Sequence, residues 1–201
     1  MIALTVFAKI PVLGFAKTRI ALTHGTETAH RIYNELIEAT ALTVNKFNYH
    51  VIYAGDNPDL LKKSFQKAES FIPQYGQTLG ERLQNSSNYF FNHGYDSVVI
   101  IGSDCPFLTE NDLKRAISDL DNGYDVSLGP AKDGGYYLVG IKPNAIDIFN
   151  VTSWGQATLF KDTMNVIKKK NLKCNLLPER SDIDTMKDYE AWMSGTIKLN
   201  M

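Results

Sequence analysis

Apolar positions in this chain follow two periods that alternate along its length. Short, mostly apolar runs at 2–8, 49–54, 98–101, 125–129 and 136–141 are separated by longer stretches in which apolar residues recur every three or four positions. A short apolar run bounded by turn residues reads as a buried strand, and the longer period as a helix with one buried face. Ala29, Ile32, Tyr33, Leu36, Ile37, Ala41 and Val44 share one face of a helix over 26–44. Leu113, Ala116, Ile117 and Leu120 mark another, with Thr109 as its N-cap, and Ala157, Phe160, Met164 and Ile167 a third over 156–169. Thr78, followed by Glu81, predicts a capping box for a helix reaching residue 93. Smaller pieces complete the pattern: a helix over 58–66, strands over 70–74 and 171–177, a helical piece from Pro143 and a closing helix over 186–193.

Strands alternating with amphipathic helices predict an α/β fold, a mostly parallel sheet with helices on both faces. Only a loop separates the runs at 125–129 and 136–141, so an antiparallel excursion is expected and the sheet is mixed. No repeat, linker or low-complexity stretch interrupts the pattern, and 201 residues suit a single domain over 1–201.

Charge and cysteine content narrow the function classes. A formal net charge of -1 gives no basic footprint for nucleic acid. No apolar run nears the ~20 residues of a membrane span, and the opening run lacks the features of a signal peptide. The two cysteines, Cys105 and Cys174, form no C-x-x-C pair, and free thiols suit a cytoplasmic protein. The four histidines show no i, i+4 pairing, so no zinc site is expected.

Candidate chemistry gathers in the loops. The run Val98–Ile101 passes through Gly102 and Ser103 to Asp104, just beyond the strand's carboxyl end, where open α/β sheets bind ligands. A carboxylate there is placed for Mg²⁺ or Mn²⁺ bridging to phosphates; the alternative is a turn or helix cap. The loop after the first strand carries Lys9, Lys17 and Arg19 around Pro11 and Gly14, a candidate phosphate cradle. It matches neither the P-loop nor the dinucleotide fingerprint. Asp133-Gly134-Gly135 reads either as a hairpin turn or as close backbone approach to a ligand. Asp182 and Asp184 are metal candidates or caps of the last helix, Arg82 a site residue or a solvated helix residue, and Trp154 a core aromatic or an acceptor platform.

Five motifs together carry a family resemblance. They are Phe7-Ala8-Lys9-x-Pro11-x-x-Gly14-x-x-Lys17-Thr18-Arg19, Leu79-Gly80-Glu81-Arg82, Gly102-x-Asp104-x-Pro106, Gly129-Pro130-Ala131-x-Asp133-Gly134-Gly135-Tyr136-Tyr137-Leu138 and Asp182-x-Asp184-Thr185. In this order they resemble a bacterial family of nucleotide-diphospho-sugar transferase-like glycosyltransferases, some associated with arsenosugar biosynthesis. Its wider relatives include the guanylyltransferase that acts on phospholactate. The resemblance implies a GT-A-type, Rossmann-like fold. It implies nucleotide contacts from Ala8, Lys9, Gly14, Lys17, Arg19, Gly80, Arg82 and Ser103, and a divalent cation on Asp104 with Asp182 or Asp184. Asp133, Gly134, Gly135, Tyr136 and Trp154 are implied on the sugar or acceptor side, and Asp133 is the candidate general base for an acceptor hydroxyl. This chain departs from the family at Leu13, where many members have Pro, and at Gly155-Gln156, where Ser-Thr is common. Gly102 replaces the first Asp of a D-x-D motif, which suits the nucleotidyltransferase relatives as well as the glycosyltransferases.

The expected function is therefore metal-dependent glycosyl transfer from a nucleotide-diphospho-sugar to a small-molecule acceptor. The alternatives are nucleotidyl transfer from a nucleoside triphosphate to a small phosphorylated substrate, and a non-catalytic nucleotide-binding module.

Overall fold

A computed structural model describes residues 1–196; the last five residues of the expected 1–201 domain lie outside the described residues. Seven strands, β1 (Ile2–Lys9), β2 (Tyr49–Ala54), β3 (Ala68–Pro73), β4 (Ser97–Gly102), β5 (Val126–Pro130), β6 (Tyr136–Ile141) and β7 (Cys174–Leu176), form one sheet in the order β3-β2-β1-β4-β6-β5-β7. β6 runs antiparallel to both β4 and β5, and every other pairing is parallel. The antiparallel excursion expected around Asp133 is therefore β6, inserted between β4 and β5.

Helices cover both faces. They are α1 (Thr18–His24), α2 (Thr26–Val44), α3 (Asp59–Lys62), α4 (Leu79–Asn92), α5 (Glu110–Asp121), α6 (Leu159–Lys169) and α7 (Met186–Met193), with a 3₁₀ segment at Pro143–Asn150. The central strand β4 shows why two layers form. Val99 and Ile101 enter the core under α2 and α5 with Leu36 and Leu113, whereas Val98 and Ile100 enter the opposite core with Phe90, Phe149 and Ile167. Successive strand side chains point to opposite faces, so an all-apolar strand demands cover on both. Each such side chain contributes about 1.5–3 kcal/mol on full burial. Among the described residues, no helix is long and apolar enough to cross a membrane.

Several boundaries differ from the periodicity, each for a local reason. The loop expected through Arg19 ends earlier, because α1 begins at Thr18; a single fully buried anchor, Ile20, is too little to register as a period. The helix expected from 156 starts at Leu159, after turns that bond Gln156 N–H to Ser153 and Leu159 N–H to Gln156. β7 is cut to three residues at the sheet edge, and α3 to one turn. Thr78 accepts from Glu81 N–H at 3.1 Å, but the Glu81 carboxylate accepts from Gln77 N–H, so the capping box is half formed. Complete boxes occur instead at Thr109/Asp112 and Thr185/Asp188.

Asp112 does more than cap. Its side chain is 1% exposed and accepts from Arg180 at 3.0 and 3.3 Å and from Thr109 N–H at 2.9 Å. The Arg180 backbone bonds Pro130 and Lys132 on either side, which ties the β5–β6 loop to the segment leading into α7. Removing one partner of a buried, hydrogen-bonded ion pair costs about 3–5 kcal/mol. Asp112→Ala is therefore expected to lower the midpoint of thermal unfolding by about 6–20 °C, at ~2–4 °C per kcal/mol. A calorimetric shift under 2 °C would show that the pair does not secure the fold.

Candidate functional site

The carboxyl ends of β1 and β4 and the start of β6 open on the same rim of the sheet, and a cleft with two lobes lies along it. The lobes, about 510 and 500 Å³, share Phe7, Arg19, Leu79, Gly102, Asp104 and Asp184. The first lobe is basic: Lys9, Lys17, Arg19 and Arg82 line it with Ala8, Tyr33, Gln74 and Ser103. The second takes Asp133, Gly135, Tyr136, Trp154 and Asp182. Asp104, just past β4, stands where the two meet.

Lys17 holds the junction together. Its backbone is left-handed at φ 53°, a conformation that is uncommon for a non-glycine residue. Its ammonium donates to Ile183 O at 2.5 Å and pairs with Asp104 at 2.8 Å and Asp184 at 3.4 Å. Burial works against the charge, but Asp104 and then Asp184 outweigh it and hold the Lys17 pKa above its ordinary value. Arg19 adds a 3.2 Å pair to Asp184. Ile183 N–H donates to Asp104 O at 3.0 Å, so the late acidic turn is stitched to the end of β4.

Asp182 sits in an unfavourable electrostatic setting. Its Oδ1 is sealed from solvent with no hydrogen-bond partner, and the Cys105 thiol lies beside the carboxyl. Burial, then the charges of Asp104 and Asp133, push its pKa up to about 7. Asp133 sits exposed at the rim, its Oδ1 accepting from Gly135 N–H at 2.9 Å.

The remaining expected residues divide. Arg82 donates from Nε to Gly76 O at 2.9 Å and lines the first lobe. Gly14 lines neither lobe and borders a small hollow near Gly55. Gly80 is a packing residue, since a Cβ there would meet Phe149 O and Trp154 Nε1 at 2.5 Å. Gly134 likewise packs on its own chain: at φ +89°, its added Cβ would come within 2.1 Å of Ala157 O. The hairpin reading of this pair thus accounts for Gly134, while Gly135 does line the second lobe. Trp154 lies in that lobe, edge-on to Tyr136 at 6.1 Å. Asp182 and Asp184 do not cap α7; Thr185 does, with Asp188.

Tyr33 was missed as a site residue because it belongs to the apolar face of α2. Its hydroxyl accepts from Lys9 N–H at 2.7 Å and bonds Lys9 O at 3.0 Å and Ser103 Oγ at 3.2 Å, which closes the floor between β1 and β4. Gln74, reaching Ile52 O at 3.1 Å, was missed because it read as a strand end. Neither carries a sequence signal beyond its place near a strand terminus.

Among the described residues, no three His, Cys, Asp or Glu side chains form a ready-made metal group. Mg²⁺ rarely uses such a cage, and takes one or two carboxylates plus phosphate oxygens and water. Asp104, about half exposed, and Asp182, with its unpartnered oxygen, fit a cation of that kind.

The fold is that of the nucleotide-diphospho-sugar transferase class. Residues 37–156 match the model of DUF2064, a family described as an uncharacterized protein conserved in bacteria, and the chain belongs to that family. No curated protein matches the chain. Among solved structures it is similar to a candidate nucleotide-diphospho-sugar transferase from Desulfovibrio desulfuricans G20, with 29% identity, a TM-score of 0.88, and coverage of 99% of this chain and 89% of the other. A cytidylyltransferase from Leptospira borgpetersenii shares the fold at 16% identity and TM-score 0.58, covering 96% and 85% of the two chains. Rv0371c of Mycobacterium tuberculosis H37Rv, in complex with manganese, shares it at 14% identity and TM-score 0.55, covering 96% and 98%.

The Asp182 carboxyl gives a stability prediction with a definite sign. The folded state keeps a proton up to about pH 7, whereas the unfolded chain releases it near pH 4. Folding therefore loses stability as pH rises between those values, and the penalty persists above them. In EDTA at pH 8, Asp182→Asn is expected to be more stable than wild type by about 1–3 kcal/mol, with the gain vanishing toward pH 4. Denaturant titrations at the two pH values check this; a gain independent of pH would refute it.

Proposed function

We propose that this protein is a divalent-cation-dependent glycosyltransferase that uses a nucleotide-diphospho-sugar donor and a small-molecule acceptor in the cytoplasm. The observation that carries the reading is the cleft itself: a basic lobe and an acidic lobe that meet at Asp104. Lys9, Lys17, Arg19 and Arg82 hold the diphosphate in the first lobe, with Ala8 and Ser103 against the nucleoside. Asp104 and Asp182 would hold Mg²⁺ or Mn²⁺, which would supply positive charge against the departing diphosphate. Lys17 and Arg19, already held at the junction by Asp184, meet the growing charge without reorganisation. Asp133, fixed by its bond to Gly135 N–H, takes the proton of the acceptor hydroxyl from the second lobe.

One observation favours a second reading. Four cations in the first lobe are more than a diphosphate requires and suit a triphosphate, whose α-phosphorus a substrate would attack with release of pyrophosphate.

Thermal shift with nucleoside diphosphates, nucleotide sugars and triphosphates, with and without Mn²⁺, separates the two. The glycosyltransferase reading predicts metal-dependent shifts with one nucleotide sugar and its diphosphate; shifts confined to a triphosphate, with pyrophosphate formed on turnover, favour nucleotidyl transfer. Asp104→Asn is expected to reduce turnover at least ~100-fold while the far-UV circular dichroism remains that of the folded chain. Lys17→Ala should weaken diphosphate binding about 10–100-fold, because it removes the positive charge that holds the junction of the two lobes. Wild-type turnover in Asp104→Asn would end the assignment.

A further inference from the structure

We propose that the second lobe selects an uncharged hydroxyl compound with an apolar body, and rejects phosphorylated or carboxylated molecules. This rests on the reading above, in which that lobe holds the acceptor.

The lobe is built as an apolar box with an acidic mouth. Leu83, Ile100, Val139 and Leu159 form its floor, each less than 10% exposed, and the Tyr136 and Trp154 rings flank them. Such a floor rewards apolar surface and offers nothing to a solvated anion. The mouth carries Asp104, Asp133, Asp182 and Asp184 against a single guanidinium, Arg19; Asp104 and Asp184 are paired with cations and Oδ1 of Asp182 is sealed from solvent, so the exposed Asp133 is the carboxylate that an incoming group meets. Arg19 is itself taken by Asp184 at 3.2 Å. Lys17 faces the first lobe and is held by Asp104 and Asp184. Lys132 precedes Asp133 in sequence but does not line the lobe. With Arg19 engaged, and the ion that Asp104 and Asp182 would hold taken by the diphosphate, an anionic acceptor would meet the carboxylate of Asp133 at the rim with no free side-chain cation to receive it, and unpaired like charge is an effective way to reject a substrate.

A neutral hydroxyl meets no such barrier, and Asp133 at the rim can accept its hydrogen bond. In the transfer step the acceptor oxygen bonds to the sugar's anomeric carbon. The bond from that carbon to the diphosphate oxygen breaks, its electron pair leaves with the diphosphate, and the hydroxyl proton passes to Asp133.

Trp154 supplies the readout. The chain has two tryptophans, and Trp192 packs by Tyr189 on α7, away from the lobe. In a Trp192→Phe variant, Trp154 fluorescence is titrated with 2-phenylethanol, phenylacetate and phenyl phosphate, which share an aryl body and differ in charge. Nucleoside diphosphate binding to the same variant is followed by calorimetry. The expected result is a saturable response to 2-phenylethanol at least tenfold tighter than to either anion, with Asp133→Asn raising the affinity for phenylacetate. Anions binding as tightly as the alcohol, or no saturable response to the alcohol, would overturn the inference while the diphosphate still binds. Absence of diphosphate binding would overturn the transferase reading itself, independently of the fluorescence result.

Discussion

The interaction on which the site depends is the ammonium of Lys17 between Asp104, Asp184 and the Ile183 carbonyl. It joins three segments far apart in sequence: the loop after β1, the end of β4 and the turn before α7. None of these has a reason of its own to meet the others. The first is short and broken by Pro11 and Gly14, and the third brings the carboxylate of Asp184 toward that of Asp104, a like charge. A single buried cation resolves both problems, because it gives the carboxylates a shared partner and gives the loop a fixed end. The left-handed backbone of Lys17 is the local cost, of order 1–3 kcal/mol for such a conformation. It is tolerated because the surrounding contacts over-determine the side chain's position.

Electrostatics in the cleft follow from how those carboxylates are shared out. Asp184 has Lys17 and Arg19, and Asp104 has Lys17, but Asp182 has neither and lies beside the Cys105 thiol. Two residues apart on one turn, Asp182 and Asp184 are separated by Ile183, which is fully buried and whose N–H is fixed to Asp104 O. That anchor leaves Asp182 bordering the second lobe alone and Asp184 bordering both. The buried Asp112–Arg180 pair then holds the approach to this turn against the β5–β6 loop, so Asp133 and Asp182 keep a fixed relation. The unpartnered oxygen of Asp182 is what makes a divalent cation completed by phosphate oxygens a chemically sensible guest.

Much of the fold was legible because its sources are local. The unbroken Val98–Ile101 run, the period of α2 and the loop-only spacing around Asp133 each record a structure in neighbouring residues. Asp104 was legible for the same reason, as the first carboxylate past a buried strand. The failures share the opposite cause. Gly134 and Gly80 are glycines because Ala157, Phe149 and Trp154 approach them from elsewhere in the chain, and no spacing rule reveals that. Tyr33 reads as one more apolar position on α2, and only the folded sheet brings its hydroxyl to Lys9 and Ser103. α1 escaped notice because seven residues with one buried anchor carry no period.

The division of charge between the lobes bears on the chemistry as well as on recognition. If both lobes were basic, the cleft would be suited to joining two phosphorylated molecules, as nucleotidyl transfer to a phosphate requires. Here Lys9, Lys17 and Arg82 line the first lobe alone and Asp133 and Asp182 the second alone, over an apolar floor, with Arg19, Asp104 and Asp184 shared between them. Negative charge moving toward the basic lobe is stabilised, and a proton released on the acidic side finds a base. That polarity matches a reaction in which a hydroxyl is deprotonated in one lobe while a diphosphate leaves through the other. It opposes a reaction in which an incoming phosphate must cross the acidic mouth. The excess of cations in the first lobe, taken alone, suits a triphosphate; the acidity of the second lobe weighs against a phosphate acceptor, and the two lobes together favour glycosyl transfer.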